Sequence, residues 1–171
     1  MPWIFVGLFS VAVVLGALGL LHSRSAVSRA ASNAKKPIDV TLNDLNDEPV
    51  KLSSYRGKVV VVDVWTTWCG YCVNEIPELI DFQKQADKDG TPLQLIGIAM
   101  DTDRDDVRQF AAVQHFNYPI LLRDDKHMGP LGDVDGYPTK FIIDKKGVIV
   151  DKIVGVVSMK TLEKRVAPYL K

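Results

Sequence analysis

Val59 to Pro77 reads VVVVDVWTTWCGYCVNEIP, and the fold follows from how this stretch is parsed. Val59 to Trp65 is an apolar run of strand length and β-branched composition, as expected of a central strand buried on both faces. From about Cys69 to Asp87, the residues Cys72, Ile76, Leu79, Phe82 and Ala86 recur at helical spacing, which predicts a helix that Pro77 should kink. The Cys69-Gly70-Tyr71-Cys72 motif therefore falls where a buried strand turns into a helix.

Two cysteines separated by two residues on the first turn of a helix lie close enough to form a short disulfide without unfolding it. Cys69 would sit at the helix N-terminus, where unpaired N–H groups and the macrodipole favour a thiolate; Cys72, one turn later, would be more buried and stay protonated. The first attacks and the second resolves. The chain has only these 2 cysteines, too few for a disulfide framework, and a tetrahedral zinc site would need further ligands from 3 histidines. A C-x-x-C in a strand-helix unit with no second cysteine pair favours redox work over half of a zinc site. A purely structural bridge is disfavoured, because so short a loop restrains little of the unfolded chain.

Outward from this unit, strands and helices alternate. Ile38 to Leu42 and Pro49 to Leu52 flank an Asn/Asp-rich turn and suggest a small hairpin. Leu93 to Ala99 reads as another buried strand, Asp105 to Phe116 as an amphipathic helix, and Ile120 to Leu122 as a short strand. Phe141 to Ile143 and Val148 to Val154 make a hairpin across Asp144-Lys145-Lys146-Gly147, and Ser158 caps a last helix with Leu162, Val166 and Tyr169 on its inner face. The expected class is α/β with a mixed sheet. At 171 residues, with 47% hydrophobic and 25% charged, the chain suits one globular domain and lacks the composition of a disordered segment. Its 21 basic and 21 acidic residues cancel, which leaves no overall basic field to argue for nucleic acid.

Trp3 to Leu21 carries no charge over 19 residues, enough to span about 28 Å as a helix. Residues 1–22 are thus expected to be a membrane anchor, with a signal peptide as the alternative; the run exceeds the usual length of a signal peptide's apolar region. Residues 23–37 are small, polar or basic and read as a flexible tether, leaving 38–171 as the folded domain. Arg24, Arg29, Lys35 and Lys36 follow the apolar run and no base precedes it, so the positive-inside rule would keep the domain in the cytoplasm. Setting those four aside leaves 17 bases against 21 acids, a net charge of −4 on the domain.

The segment Leu52-Ser53-Ser54-Tyr55-Arg56-Gly57-Lys58, the stretch quoted above, Gly136-Tyr137-Pro138-Thr139 and FIIDKKGVIV from Phe141 together resemble the thioredoxin superfamily. Within it they are similar to the membrane-anchored TlpA, ResA and CcmG (DsbE) type of thiol-disulfide oxidoreductase. The resemblance runs from about Ile38 to Leu170. It implies a thioredoxin fold, a mixed sheet flanked by helices, with an N-terminal β-hairpin extension and an inserted βα element. It also implies an extracytoplasmic domain that exchanges disulfides with exported thiol proteins, often apocytochrome c, with electrons supplied by a membrane thiol reductase of the DsbD or CcdA type. No cofactor beyond the Cys69-Cys72 disulfide and no metal is implied. Gly70-Tyr71 is a departure, since many relatives carry a proline between the cysteines.

The same resemblance makes Asp63 the buried acid below the dithiol that assists proton transfer to and from Cys72; an unpartnered carboxylate there would be costly, and the alternative is an Asp that escapes at the strand edge. Glu75, three residues after Cys72, matches an active-site glutamate of ResA and CcmG relatives and is expected to stay near the mouth of the site. As an alternative it is merely an acid favoured near a helix N-terminus. Gly-x-Pro-Thr just before the hairpin is where relatives place a cis-proline loop facing the dithiol, so Tyr137 and Pro138 join the substrate-binding candidates with Trp68, Gly70 and Tyr71; local sequence alone favours a trans proline. Trp65 is assigned to the core. Two rival functions use the same residues. A copper-binding chaperone would combine the thiolates with His115 or His127, although such proteins usually space their cysteines by three residues. A thiol peroxidase would match Thr66-x-x-Cys69, but the proline expected four residues before that threonine is Val62.

Overall fold

The computed structural model describes residues 36–171; the expected anchor at 1–22 and nearly all of the tether at 23–37 lie outside the described residues. Among the described residues, no helix is long and apolar enough to cross a membrane. A five-stranded mixed sheet organises the domain. Its centre is β3 (Val59–Trp65), all seven residues of which are buried. Helix α1 (Gly70–Lys88) carries the chain to β4 (Leu93–Ala99), which lies parallel to β3, and α2 (Arg104–Gln114) leads to the parallel edge strand β5 (Ile120–Leu122). On the other side of β3 the antiparallel pair β6 (Thr139–Ile143) and β7 (Ile149–Val154) completes the order β5-β4-β3-β6-β7, and α3 (Met159–Val166) follows. The expected hairpin is a separate two-stranded sheet, β1 (Thr41–Asn43) with β2 (Pro49–Lys51).

Side chains alternate across the faces of a strand, and on β3 both faces are apolar. Val59, Val61 and Trp65 join the core under the helices, with Leu79 of α1, Val107 of α2 and Leu162 of α3. Val60, Val62 and Val64 join a second core closed by Leu42 of the hairpin, Leu52, Met128 and Leu131. By the same alternation Asp63 belongs to the helix side, between Val61 and Trp65. Its partner on β4 is Gly97, and this glycine is required by contact. A Cβ there would lie 2.7 Å from Ile120 Cδ1 and 2.9 Å from Trp65 Nε1. Without it, Trp65 packs down against Phe110 and Phe116, with ring centroids 5.4 and 5.7 Å apart.

Most element boundaries match the sequence expectation, with instructive departures. Helix α1 runs continuously through Pro77, so the proline costs the donor to the Val73 carbonyl without ending the helix. The last helix stops at Val166, and Tyr169 falls in a following 3-10 turn while still packing against the helix-side core. Strand β6 starts at Thr139 rather than Phe141, which brings Lys140 into the sheet.

Candidate active site

Cys69 is the N-cap of α1. Its Sγ accepts a hydrogen bond from the Cys72 N–H at 3.2 Å, and its extended backbone turns the chain from strand exit into helix. Cys69 and Cys72 are joined in a disulfide with Cα atoms 5.3 Å apart. Cys69 is 8% exposed and Cys72 only 2%, so the cysteine at the helix end is the more accessible of the two. The approach to it is clamped from the loop after β4: the Asp101 carboxylate accepts from the Thr67 N–H at 3.1 Å and from the Thr67 hydroxyl at 2.5 Å. A Cβ added at Gly70 would meet nothing within 4 Å, so that glycine leaves the first helical turn open to solvent.

Around the disulfide the surface is aromatic and aliphatic. Trp68 and Tyr71 are 73% and 74% exposed, unusual for such large side chains. Trp68 packs edge-on against Tyr137, centroids 5.8 Å apart, and the Tyr137–Pro138 peptide is cis, as the resemblance implied. The Pro138 carbonyl accepts from the Gly155 N–H at 2.7 Å, which ties this loop to a segment whose Val154 and Val156 are also exposed. Trp65, by contrast, is fully in the core.

On the side of the sheet where Cys69 and Cys72 pack lies a buried charge cluster. Asp63, Glu75 and Lys140 are all buried, and Lys140 is 0% exposed. The Lys140 ammonium donates to Glu75 Oε2 at 2.6 Å and sits 3.1 Å from Asp63 Oδ1. The second contact is an ion pair without hydrogen-bond geometry, and Asp63 Oδ1 has no hydrogen-bond partner among the described residues. The other Glu75 oxygen accepts from the Val157 N–H at 3.2 Å. Burial pushes the Asp63 carboxyl above its ordinary range; Lys140 opposes the shift and Glu75 adds to it. Burial, with Asp63 and Glu75 adding to it, likewise holds the Tyr118 phenol well above its usual value.

The expectation for Glu75 is corrected here, while that of a buried Asp63 is met. Glu75 is not at the mouth: it is enclosed, because its side of α1 faces the sheet and Lys140 and Val157 both need an acceptor. Asp63 neither escapes at the strand edge nor stands alone, since Lys140 supplies the counter-charge. Lys140 is missed when the hairpin strand is begun at Phe141, two residues after its start at Thr139. The available signal was alternation, which places Lys140 on the same face as Ile142 and directly across from Asp63. Of the rival ligands, His127 pairs with Asp124 at 2.8 Å and His115 terminates α2 in the left-handed region. No cluster of three or more His, Cys, Asp or Glu groups able to hold a metal occurs among the described residues.

A disulfide at a helix N-cap, on a thioredoxin-type mixed sheet, with an exposed apolar surround, defines a thiol-disulfide oxidoreductase. Residues 34–152 match the AhpC/TSA family, and the chain belongs to it. Comparison with known proteins gives the same class. The thioredoxin-like protein YneN of Bacillus subtilis (strain 168) is 34% identical over 131 residues, covering 74% of this chain and 74% of YneN. The thiol-disulfide oxidoreductase ResA of Bacillus thuringiensis (strain Al Hakam) is 29% identical over 172 residues, covering 94% of this chain and 96% of ResA. Among solved structures, a thiol:disulfide interchange protein of the thioredoxin family from Chlorobium tepidum TLS superposes with a TM-score of 0.71 at 25% identity, over 80% of this chain and 97% of that one. The resemblance to the TlpA, ResA and CcmG type is thereby upheld.

Proposed function

We propose that the protein reduces disulfides in exported proteins, apocytochrome c among the candidates, from an N-terminal membrane anchor with its domain outside the cytoplasm. The observation that carries this reading is the exposed apolar surface of Trp68, Tyr71, Val154 and Val156, with the half-buried Tyr137 packed against Trp68, beside an N-capping Cys69, which suits a polypeptide client better than a small polar disulfide. Cys69 attacks the client disulfide, forms a mixed disulfide and releases one client thiolate. The Cys72 S–H bond then breaks, its proton passes to the Asp63 carboxylate, and its electron pair forms the Cys69–Cys72 bond. The second client sulfur leaves as a thiolate with the electron pair of the broken mixed disulfide. A membrane thiol reductase of the DsbD or CcdA type restores the dithiol. Extracytoplasmic placement runs against the charge bias after residue 21, but long domains translocate largely regardless of such charges.

Direction is decided by the reduction potential. Equilibration of the Cys69-Cys72 pair with a thiol buffer of known poise should give a value near thioredoxin's, about −270 mV; a value near about −120 mV would make the protein an oxidant and overturn the reading. A reporter fused after Lys171 should be active outside the cytoplasm, and activity only inside would contradict the placement.

A further inference from the structure

Lys140 is the sole lysine among the buried side chains of the described residues, and the exchange reaction as written does not use it. Its two contacts differ in kind. Glu75 receives directed hydrogen bonds from Lys140 and from the Val157 N–H, whereas Asp63 Oδ1 receives none. The cluster holds one cation and two acids almost wholly screened from water. With one proton shared among the acids it is neutral; with none it carries an uncompensated negative charge, which is costly in such a site. That proton belongs on the acid with the poorer hydrogen bonding, Asp63.

We propose that Lys140 is a positioning residue that assigns the labile proton of the site, fixing Glu75 as the standing carboxylate and leaving Asp63 as the acid that exchanges with Cys72. By cancelling the Glu75 charge it keeps the ionised state of Asp63 within reach, so that Asp63 first releases its resting proton to solvent and can then accept one from Cys72, which rests on the acceptor role proposed for Asp63. Proton transfer from Cys72 to Asp63 then returns the cluster to neutrality as the Cys69–Cys72 bond forms. In the reverse direction Asp63 gives the proton back to the Cys72 thiolate. Tyr118, whose phenol stays protonated, is the other titratable group that feels both acids, and Cys69 and Cys72 share the same helix-side core. Among the described residues, β4, α2, β7 and α3 contribute no buried charged side chain, and the charged pair of Asp151 on β7 with Arg165 on α3 is closed on itself.

The experiment mixes reduced protein with an aromatic disulfide. Release of the second aromatic thiolate reports resolution by Cys72, and its rate is followed against pH, with folding checked by circular dichroism. In K140M, ionising Asp63 would place a second negative charge beside Glu75, so the midpoint of the profile should rise by about one unit or more. In E75Q, Lys140 faces Asp63 alone and the midpoint should fall by a comparable amount. The double variant E75Q/K140M removes both charges and should return close to the wild-type midpoint. Single variants that shift in the same direction or not at all, or a double variant that keeps the K140M shift, would overturn the assignment. Should K140M fail to fold, the fall in E75Q and the return in the double variant still decide. D63N separates the two claims: if it retains the wild-type profile, the acceptor role of Asp63 fails, whereas loss of the profile in D63N without opposed shifts in the others sinks only the role of Lys140.

Discussion

Asp63 on β3 and Lys140 on β6 are register partners in an antiparallel ladder, and their charged ends lie 3.1 Å apart on the helix side of the sheet. Every other β3 residue on that face is apolar, so the pair is an exception that packing alone would not select. Its position on the side of the sheet that Cys69 and Cys72 pack against fits the acceptor role proposed for Asp63, because resolution of a mixed disulfide needs an acceptor for the Cys72 proton.

The order of attack follows from the difference in exposure between the cysteines. Cys72→Ser should accumulate mixed disulfides through Cys69, while Cys69→Ser should lose exchange activity. Alkylation of the reduced protein at neutral pH, followed by peptide mapping, should label Cys69 first. Preferential labelling of Cys72 would reverse the assignment.

Replacing the buried acid has two separable effects. Asp63→Asn should slow exchange roughly ten- to a hundredfold, at the lower end of general acid-base contributions. Its effect on stability depends on pH with a definite sign. The folded carboxyl keeps a proton that the unfolded chain has released, so wild-type stability declines as pH rises from the ordinary carboxylate range through the raised value. Asn does not titrate, and the variant should gain on the wild type across that window and lose the advantage below it. Urea melts at several pH values check this, and a stability difference independent of pH would show that Asp63 does not titrate between the two states.

Gly97 is predicted to be intolerant of any side chain. Gly97→Ala places a methyl group inside contact distance of Ile120 and the Trp65 indole, an overpacking that should cost about 1–3 kcal/mol. A lower urea midpoint at unchanged slope is the expected reading. Unaltered stability would mean that the Trp65 cluster gives way easily.

The apolar surround should matter for large substrates only. Trp68→Ala and Tyr137→Ala are each expected to lower kcat/KM for a protein disulfide by roughly fivefold or more, the effect of losing about 1 kcal/mol of aromatic contact. Rates with a small disulfide should change little. Equal losses with both substrates would place these residues in support of the dithiol rather than in client binding.

The sheet and its helices were legible from the sequence because their signals are local: β-branched runs for β3 and β4, helical spacing after Cys69, and Ser158 as a cap that accepts from the Thr161 N–H. The dithiol was legible for the same reason. The linkage of Asp63 with Glu75 was not, since it passes through a lysine on a strand far along the chain, and only sheet register brings that residue opposite Asp63. Glu75 was misplaced because helical position relative to Cys72 says which turn it occupies and not how deeply the helix sits. Packing of α1 against the sheet decides that depth.

The buried cluster also constrains how this chain can drift. Positions 63, 75 and 140 answer to one another through charge, so losing the cation while both acids remain strands negative charge where solvent cannot reach it. The three positions should therefore be inherited as one character, with replacements arriving in compensating pairs. Descendants that keep both acids opposite an apolar residue 140 should be missing from the lineage, or should carry a new cation supplied from another strand.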